Sequence, residues 1–212
     1  MQILLEELAL AYGTQFTVTP INIFTNEQKK DWFLRLNPNG KIPVLLDSTK
    51  SIESPKVVFE SAAVLIYLAE TYDKDFTFSF QDAEEKSELL QWLFFWHGNG
   101  GPIMGQMVFF GKFAKEKLPF AIDRFRTEVL RVFGVLELRL SNKLSGEAPR
   151  EYLVGNKYSI ADINAFAYVK GWEFGGLAKE QMEPFPHVMK WLERIATREA
   201  VKVGTGDKYA KR

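Results

Sequence analysis

The sequence predicts a mixed α/β amino-terminal domain followed by an all-helical domain. Segments rich in Val, Ile, Thr and Phe, the signature of strands, occur only ahead of Ser61 and are interleaved with helical patterns. After a polar, Phe-containing connector at 73–82, only helical periodicity remains. At 212 residues the chain can bury a sizeable core and divide it between two small domains, expected at 1–74 and 83–212.

Composition narrows the function classes. The 27 basic and 27 acidic residues cancel, so no net charge points to nucleic acid or to an anionic membrane surface. There is no cysteine, which removes disulfides, thiolate metal sites and a cysteine nucleophile together. Only His97 and His187 could act as imidazole ligands or bases, and their separation gives no metal-binding spacing. No metal site, Ser/His/Asp triad or basic-aromatic patch stands out. Met1-Gln2-Ile3 has no basic leader, Glu6-Glu7 interrupts the first apolar run, and no segment reaches membrane-spanning length. A cytoplasmic protein is expected.

Taken in order, residues 2–12 read as an amphipathic helix with Leu4, Leu8 and Tyr12 on one face. Glu6 and Glu7 are expected to face water, and Gly13 to end the helix. Phe16 to Ile23 reads as a strand, with Pro20 hinting at a bulge or edge. Asn26 to Leu36 reads as a shorter helix ended by Asn37-Pro38-Asn39-Gly40. Strands are expected at 43–47 and 56–59, then a helix at 61–72 burying Ala62, Leu65, Ile66 and Ala69. Helices are expected at 83–97, 103–116, 119–144, 159–172 and 185–197, with Gly98-Asn99-Gly100-Gly101-Pro102 kinking the first pair. In the 119–144 helix Phe125, Val129, Val132, Phe133, Leu136 and Leu140 fall on one side. Ser159 and Asp162 have the spacing of a capping box.

The stretch from Asn37 to Ser61 carries the functional signal. Pro43 stands directly before Val44-Leu45-Leu46, where the first residue of a strand can dispense with its N–H. A cis Ile42–Pro43 bond would turn the backbone of Ile42 toward a ligand strand; an ordinary strand-entry proline is the alternative. Glu60-Ser61 sets a carboxylate and a hydroxyl at a helix N-terminus, where free N–H groups and the dipole attract an anion. An extended peptide with a carboxylate at one end fits such a site.

These features in this order, with the Ser159–Asp162 box, resemble the cytosolic glutathione transferases across essentially the whole chain. Asn26-Glu27-Gln28, Trp92-Leu93-Phe94-Phe95, Gly101-Pro102-Ile103-Met104-Gly105-Gln106 and the 124–137 helix resemble the Nu class. They are equally similar to the fungal group that includes the yeast nitrogen-regulating prion protein. The resemblance implies a thioredoxin-like first domain, a helical-bundle second domain, a homodimer and glutathione as substrate. It also implies use of the glutathione thiolate on an apolar electrophile, a disulfide or a peroxide, and a role in detoxification. The alternative within the family is an inactive binding or regulatory protein.

Carried over by motif, Ile42 with Pro43 would pair with the cysteinyl residue, and Glu60 would accept the γ-glutamyl amino group. Ser61 would hold that residue's carboxylate, while Gln28 and Lys41 would meet the glycyl end. Arg124 matches an arginine that approaches the ligand from the helical domain. A solvated loop lysine, an exposed glutamine on a short helix and a surface or interface arginine are the other readings of Lys41, Gln28 and Arg124.

One departure is large. Family members begin with a strand and a turn before the first helix, and that turn carries the residue that activates the thiol. Here the first helix opens at Met1, so the catalytic residue is unassigned and expected upstream of Met1. A sheet lacking its first, central strand would leave inner edges unpaired, and unpaired buried backbone is costly. Either the natural protein has further residues upstream, or the chain repairs the sheet in another way.

Overall fold

The computed structural model describes residues 1–209 and divides the chain into two compact units. The first comprises Met1–Asp75 together with the segment from Glu199 onward, and the second Phe76–Arg198.

In the first unit, helix α1 (Gln2–Tyr12) ends at Gly13, whose φ of 69° is a left-handed conformation that a Cβ would oppose. Helix α2 is short (Asp31–Leu34), preceded by 3₁₀ turns at Ile23–Thr25 and Glu27–Lys29. Strands β1 (Val44–Asp47) and β2 (Lys56–Phe59) form an antiparallel hairpin with Val44 opposite Phe59 and Asp47 opposite Lys56. Helix α3 (Ser61–Tyr72) follows β2 with only Glu60 between, and packs on both strands and on α1. Its apolar positions bury Ala62, Val64, Leu65, Leu68 and Ala69; Ile66, expected among them, is half-buried. Helix α10 (Glu199–Thr205) returns to pack along α1, with Ala200 and Val201 buried on α10 and Ile3 and Leu4 buried on α1.

Three sequence expectations for this unit are corrected. The segment expected to be a strand at Phe16–Ile23 forms no ladder, because no neighbouring strand among the described residues offers its backbone. The sheet there is two-stranded. The helix expected at 26–36 is broken, since Asn26 adopts φ 56° and Lys30 is extended. Glu6 and Glu7 do not face water but are only 8% and 4% exposed. The carboxylate of Glu6 accepts hydrogen bonds from Lys208 Nζ at 2.6 Å and from the Tyr209 hydroxyl, so the returning C-terminal segment covers it.

The second unit is helical: α4 (Ala83–Phe95), α5 (Gly101–Val108), α6 (Pro119–Ser141), α7 (Ile160–Val169), α8 (Lys179–Met182) and α9 (Pro186–Ala196). The expected glycine kink is instead a π turn at Trp96–Gly100 that carries the helical path from α4 into α5. Gly100 permits it: a Cβ there would lie 2.0 Å from the ring of Trp96, which is wholly buried. Helix α6 buries Val129, Val132, Phe133, Leu136 and Leu140 as its period predicts, while Phe125, expected with them, is half-buried.

The Ser159–Asp162 capping box forms at the start of α7. Asp162 also accepts from the Leu153 N–H at 3.0 Å and from Trp191 Nε1 at 2.9 Å, tying α7 to α9 and to the preceding loop. Burial pushes its carboxyl up to about 6, against the opposing pull of those donors and of Ser159.

Candidate functional site

Hairpin register brings the two halves of the motif together. Immediately beyond the Val44–Phe59 pair lie Pro43 on one strand and Glu60 on the other. Directly opposed residues in an antiparallel pair have Cα atoms about 5 Å apart. Residues distant in sequence, Ile42-Pro43 and Glu60-Ser61, therefore share one end of the hairpin. The Ile42–Pro43 peptide is cis. The Ile42 side chain is half exposed, and among the described residues neither its N–H nor its C=O is hydrogen-bonded.

Glu60 connects β2 to α3 with φ 69° and ψ 121°, a conformation that a side-chain-bearing residue rarely adopts. Such strain, on the order of 1–3 kcal/mol, persists only where the surroundings over-determine it and concentrates at ligand sites. Ser61 is the first helical residue, and Glu60 holds the cap position without a side-chain capping bond. The first helical amide to be paired is Val64, whose N–H reaches the Glu60 carbonyl at 2.9 Å. The amides of Ser61, Ala62 and Ala63 thus stand at the positive end of a 12-residue helix, beside a Ser61 hydroxyl that has no partner among the described residues. This is an anion-binding geometry.

The 37–41 loop closes the other side. Buried Asn37 accepts from the Asn39 N–H at 3.0 Å and donates from Nδ2 to the Lys41 carbonyl at 2.7 Å. Gly40 adopts φ 59° and lies so near the Glu27–Lys29 turn that a Cβ would be 2.9 Å from the Gln28 carbonyl. Lys29 Nζ reaches the Asn39 carbonyl at 3.1 Å. Gln28 and Lys41, far apart in the chain, therefore sit on touching loops. Lys41 is exposed; Gln28 is half-buried, and its Oε1 is buried without a hydrogen-bond partner. Arg124 belongs to the second unit, exposed on α6 one turn before Glu128.

Sequence reasoning missed a polar cluster behind this site. Asp47, the last residue of β1, accepts at Oδ2 from Tyr67 at 2.7 Å and Tyr72 at 2.5 Å, both on α3. At Oδ1 it accepts from the Thr49 N–H at 2.9 Å and the Thr49 hydroxyl at 2.6 Å. Burial raises its pKa, but the donors from Thr49, Tyr72 and Tyr67 outweigh it and hold the carboxyl well below the usual range. Burial and its hydrogen bond to Asp47 raise the pKa of Tyr72; Tyr67's own hydrogen bond to Asp47, together with burial, raises that of Tyr67. An Asp followed by Thr and two tyrosines on the next helix has no sequence period that would have announced it. Among the described residues no group of three or more His, Asp or Glu is arranged to hold a metal, and no helix is long and apolar enough to cross a membrane.

A small sheet with α-helices, carrying a peptide-ready strand end beside a helix N-terminus, and joined to an all-helical unit, defines a thioredoxin-like domain with a helical partner domain. The chain belongs to the glutathione S-transferase family: residues 2–71 match its N-terminal domain and residues 102–199 its C-terminal domain. It is similar to the disulfide-bond oxidoreductase YfcG of Escherichia coli, 36% identical over 92% of this chain and 84% of that protein. Its fold matches the crystal structure of a glutathione transferase homolog from Lodderomyces elongisporus with two glutathione molecules per subunit. The TM-score is 0.86 and the identity 34%, covering 96% of this chain and 90% of that one. It is also similar to the structure of Ure2p in complex with glutathione, with TM-score 0.82 and 28% identity, covering 96% of this chain and 90% of that one.

Proposed function

We propose that this protein is a glutathione transferase whose first unit binds glutathione at the Ile42–Pro43/Glu60–Ser61 end of the hairpin. The observation that carries the reading is Glu60: a strained residue holding a carboxylate next to the free amides and hydroxyl at the start of α3. Ser61 and the α3 amides hold the γ-glutamyl carboxylate, and Glu60 accepts its ammonium group. Ile42 offers its unpaired N–H and C=O to the cysteinyl backbone, as one strand does to another. Gln28 and Lys41, on the adjoining loops, face the glycyl end, where an ammonium suits a carboxylate. Support for glutathione itself comes from family membership and from glutathione in the structures of similar proteins. Arg124 stands outside this half-site; its family counterpart supports a supplementary contact to the ligand.

The chemistry is that of the bound thiolate. It attacks an electrophilic carbon and expels a leaving group, or attacks one sulfur of a disulfide, forming a mixed disulfide and releasing the other sulfur as thiolate. The disulfide reaction is supported by the similarity to YfcG, and an apolar electrophile by the exposed Phe109, Phe113 and Phe174 of the helical unit. Family membership supports a homodimer, which light scattering of the purified chain would test, and a cytoplasmic setting.

Calorimetric titration with glutathione, followed by turnover assays with chlorodinitrobenzene and hydroxyethyl disulfide, tests the proposal. Binding with turnover of either substrate is expected. No binding would overturn the ligand assignment; binding without turnover would make the chain a glutathione-binding member of the family that does no chemistry.

A further inference from the structure

The residues assigned to glutathione lie on two elements, the start of β1 and the start of α3. Their spacing therefore depends on how α3 is set against the hairpin. The two are connected at one end by Glu60 alone, with no loop residue to spare. Toward the opposite end of α3, the hydroxyls of Tyr67 and Tyr72 converge on one oxygen of Asp47, the last residue of β1. Thr49 pins the other oxygen through its N–H and hydroxyl, so the carboxylate is fixed to its own turn before the helix reaches it. Tyr67 lies six residues beyond Ser61, roughly 9 Å along the helix axis. Apolar packing on the strands and on α1 holds α3 in the core, and the bonds to Asp47 add a directional restraint that fixes its far end against β1.

The same clamp bears on Glu60. A positive φ in a residue with a side chain is retained only while surrounding contacts leave no relaxed alternative. Without that restraint a small shift of α3 would let Glu60 relax toward an ordinary conformation and change the spacing between Ser61 and Ile42.

We infer that Asp47, gripped by Tyr67 and Tyr72, is a positioning residue for glutathione: it sets α3 so that Ser61 and the Ile42 backbone engage one ligand together. This rests on the glutathione assignment above. Asp47 touches no ligand in this scheme and acts through the orientation of α3.

Tyr67→Phe with Tyr72→Phe removes both hydroxyls and keeps both rings, and Asp47→Ala removes their acceptor. Each protein is titrated with glutathione at 25 °C, well below its measured Tm, so that only folded molecules are compared. The clamp predicts a glutathione Kd about three- to thirty-fold higher in the tyrosine double variant, the range over which residues remote from a ligand alter its affinity. Asp47→Ala should do the same wherever it folds. A lowered Tm with an unchanged Kd in the double variant would reduce the cluster to a stabilising contact and overturn the inference. Failure of the unaltered chain to bind glutathione would overturn the functional assignment, and this inference with it, so the two failures are told apart by the first titration.

Discussion

Ser61 and Glu60 place opposite demands on the chain. Among the described residues the Ser61 hydroxyl and amide have no partner, which costs little at a solvated helix start and becomes useful when an anion arrives. Ser61→Ala should weaken glutathione binding by about 1–3 kcal/mol, the value of one hydrogen bond to a charged group. An unchanged Kd by calorimetry would remove Ser61 from the site. Glu60 instead would serve its proposed role at a conformational cost. Glu60→Gly should leave stability in urea unchanged or raise it by about 1 kcal/mol, because glycine adopts positive φ freely, while glutathione binding falls. A large loss of stability would mean that the Glu60 side chain is structural. The identities of both residues were legible in the sequence as a carboxylate and hydroxyl at a helix start. The backbone conformation of Glu60 was not, because nothing in local sequence requires positive φ of a glutamate.

Among elements, legibility tracks how local the determining contacts are. Helices α1 and α3 were found to the residue and the Ser159–Asp162 box was found whole, since each rests on interactions within a turn or two. The segment at 16–23 has strand composition, yet a strand is made by its neighbour, and composition says nothing about which neighbour is present. Helix α10 was missed because its short apolar face is meaningful only against α1. There Gly204 brings the two backbones together, and a Cβ would sit 2.9 Å from the Ile3 nitrogen. Gly204→Val should therefore destabilise the protein by about 1–3 kcal/mol, as overpacking does. Unaltered thermal unfolding would show that α10 yields without cost. Asp162→Asn keeps the shape but turns an NH₂ toward one of the donors the carboxylate now receives, with an expected cost of about 1–3 kcal/mol at pH 7.

On the scale of the whole molecule, the pH dependence of stability gathers buried Asp162 and half-buried Asp47. Asp162 has a folded pKa of about 6 against an ordinary value of 3.8, so between these values the folded state binds more protons than the unfolded state. Its contribution is complete below about pH 4 and is lost as pH rises through 6. Asp47 is depressed and runs the other way: its contribution is present above the ordinary aspartate range and is lost as pH falls through its lower folded value. Urea unfolding should therefore show that Asp162→Asn costs more at pH 4.5 than at pH 7.5. The opposite order would mean that the four donors, rather than burial, govern Asp162.

From sequence alone came the α/β-then-helical order, most helix boundaries, the pairing of Pro43 with Glu60-Ser61 as a motif, and the family. Periodicity, capping and turn chemistry act over a few residues, and a motif keeps its spacing in the chain. Only the tertiary structure decided that the chain's last helix belongs with its first, that Glu6 and Glu7 are covered, and that Asp47 takes hold of two tyrosines on α3. These depend on contacts between residues far apart in the chain, whose partners are chosen by packing and by the satisfaction of buried polar groups.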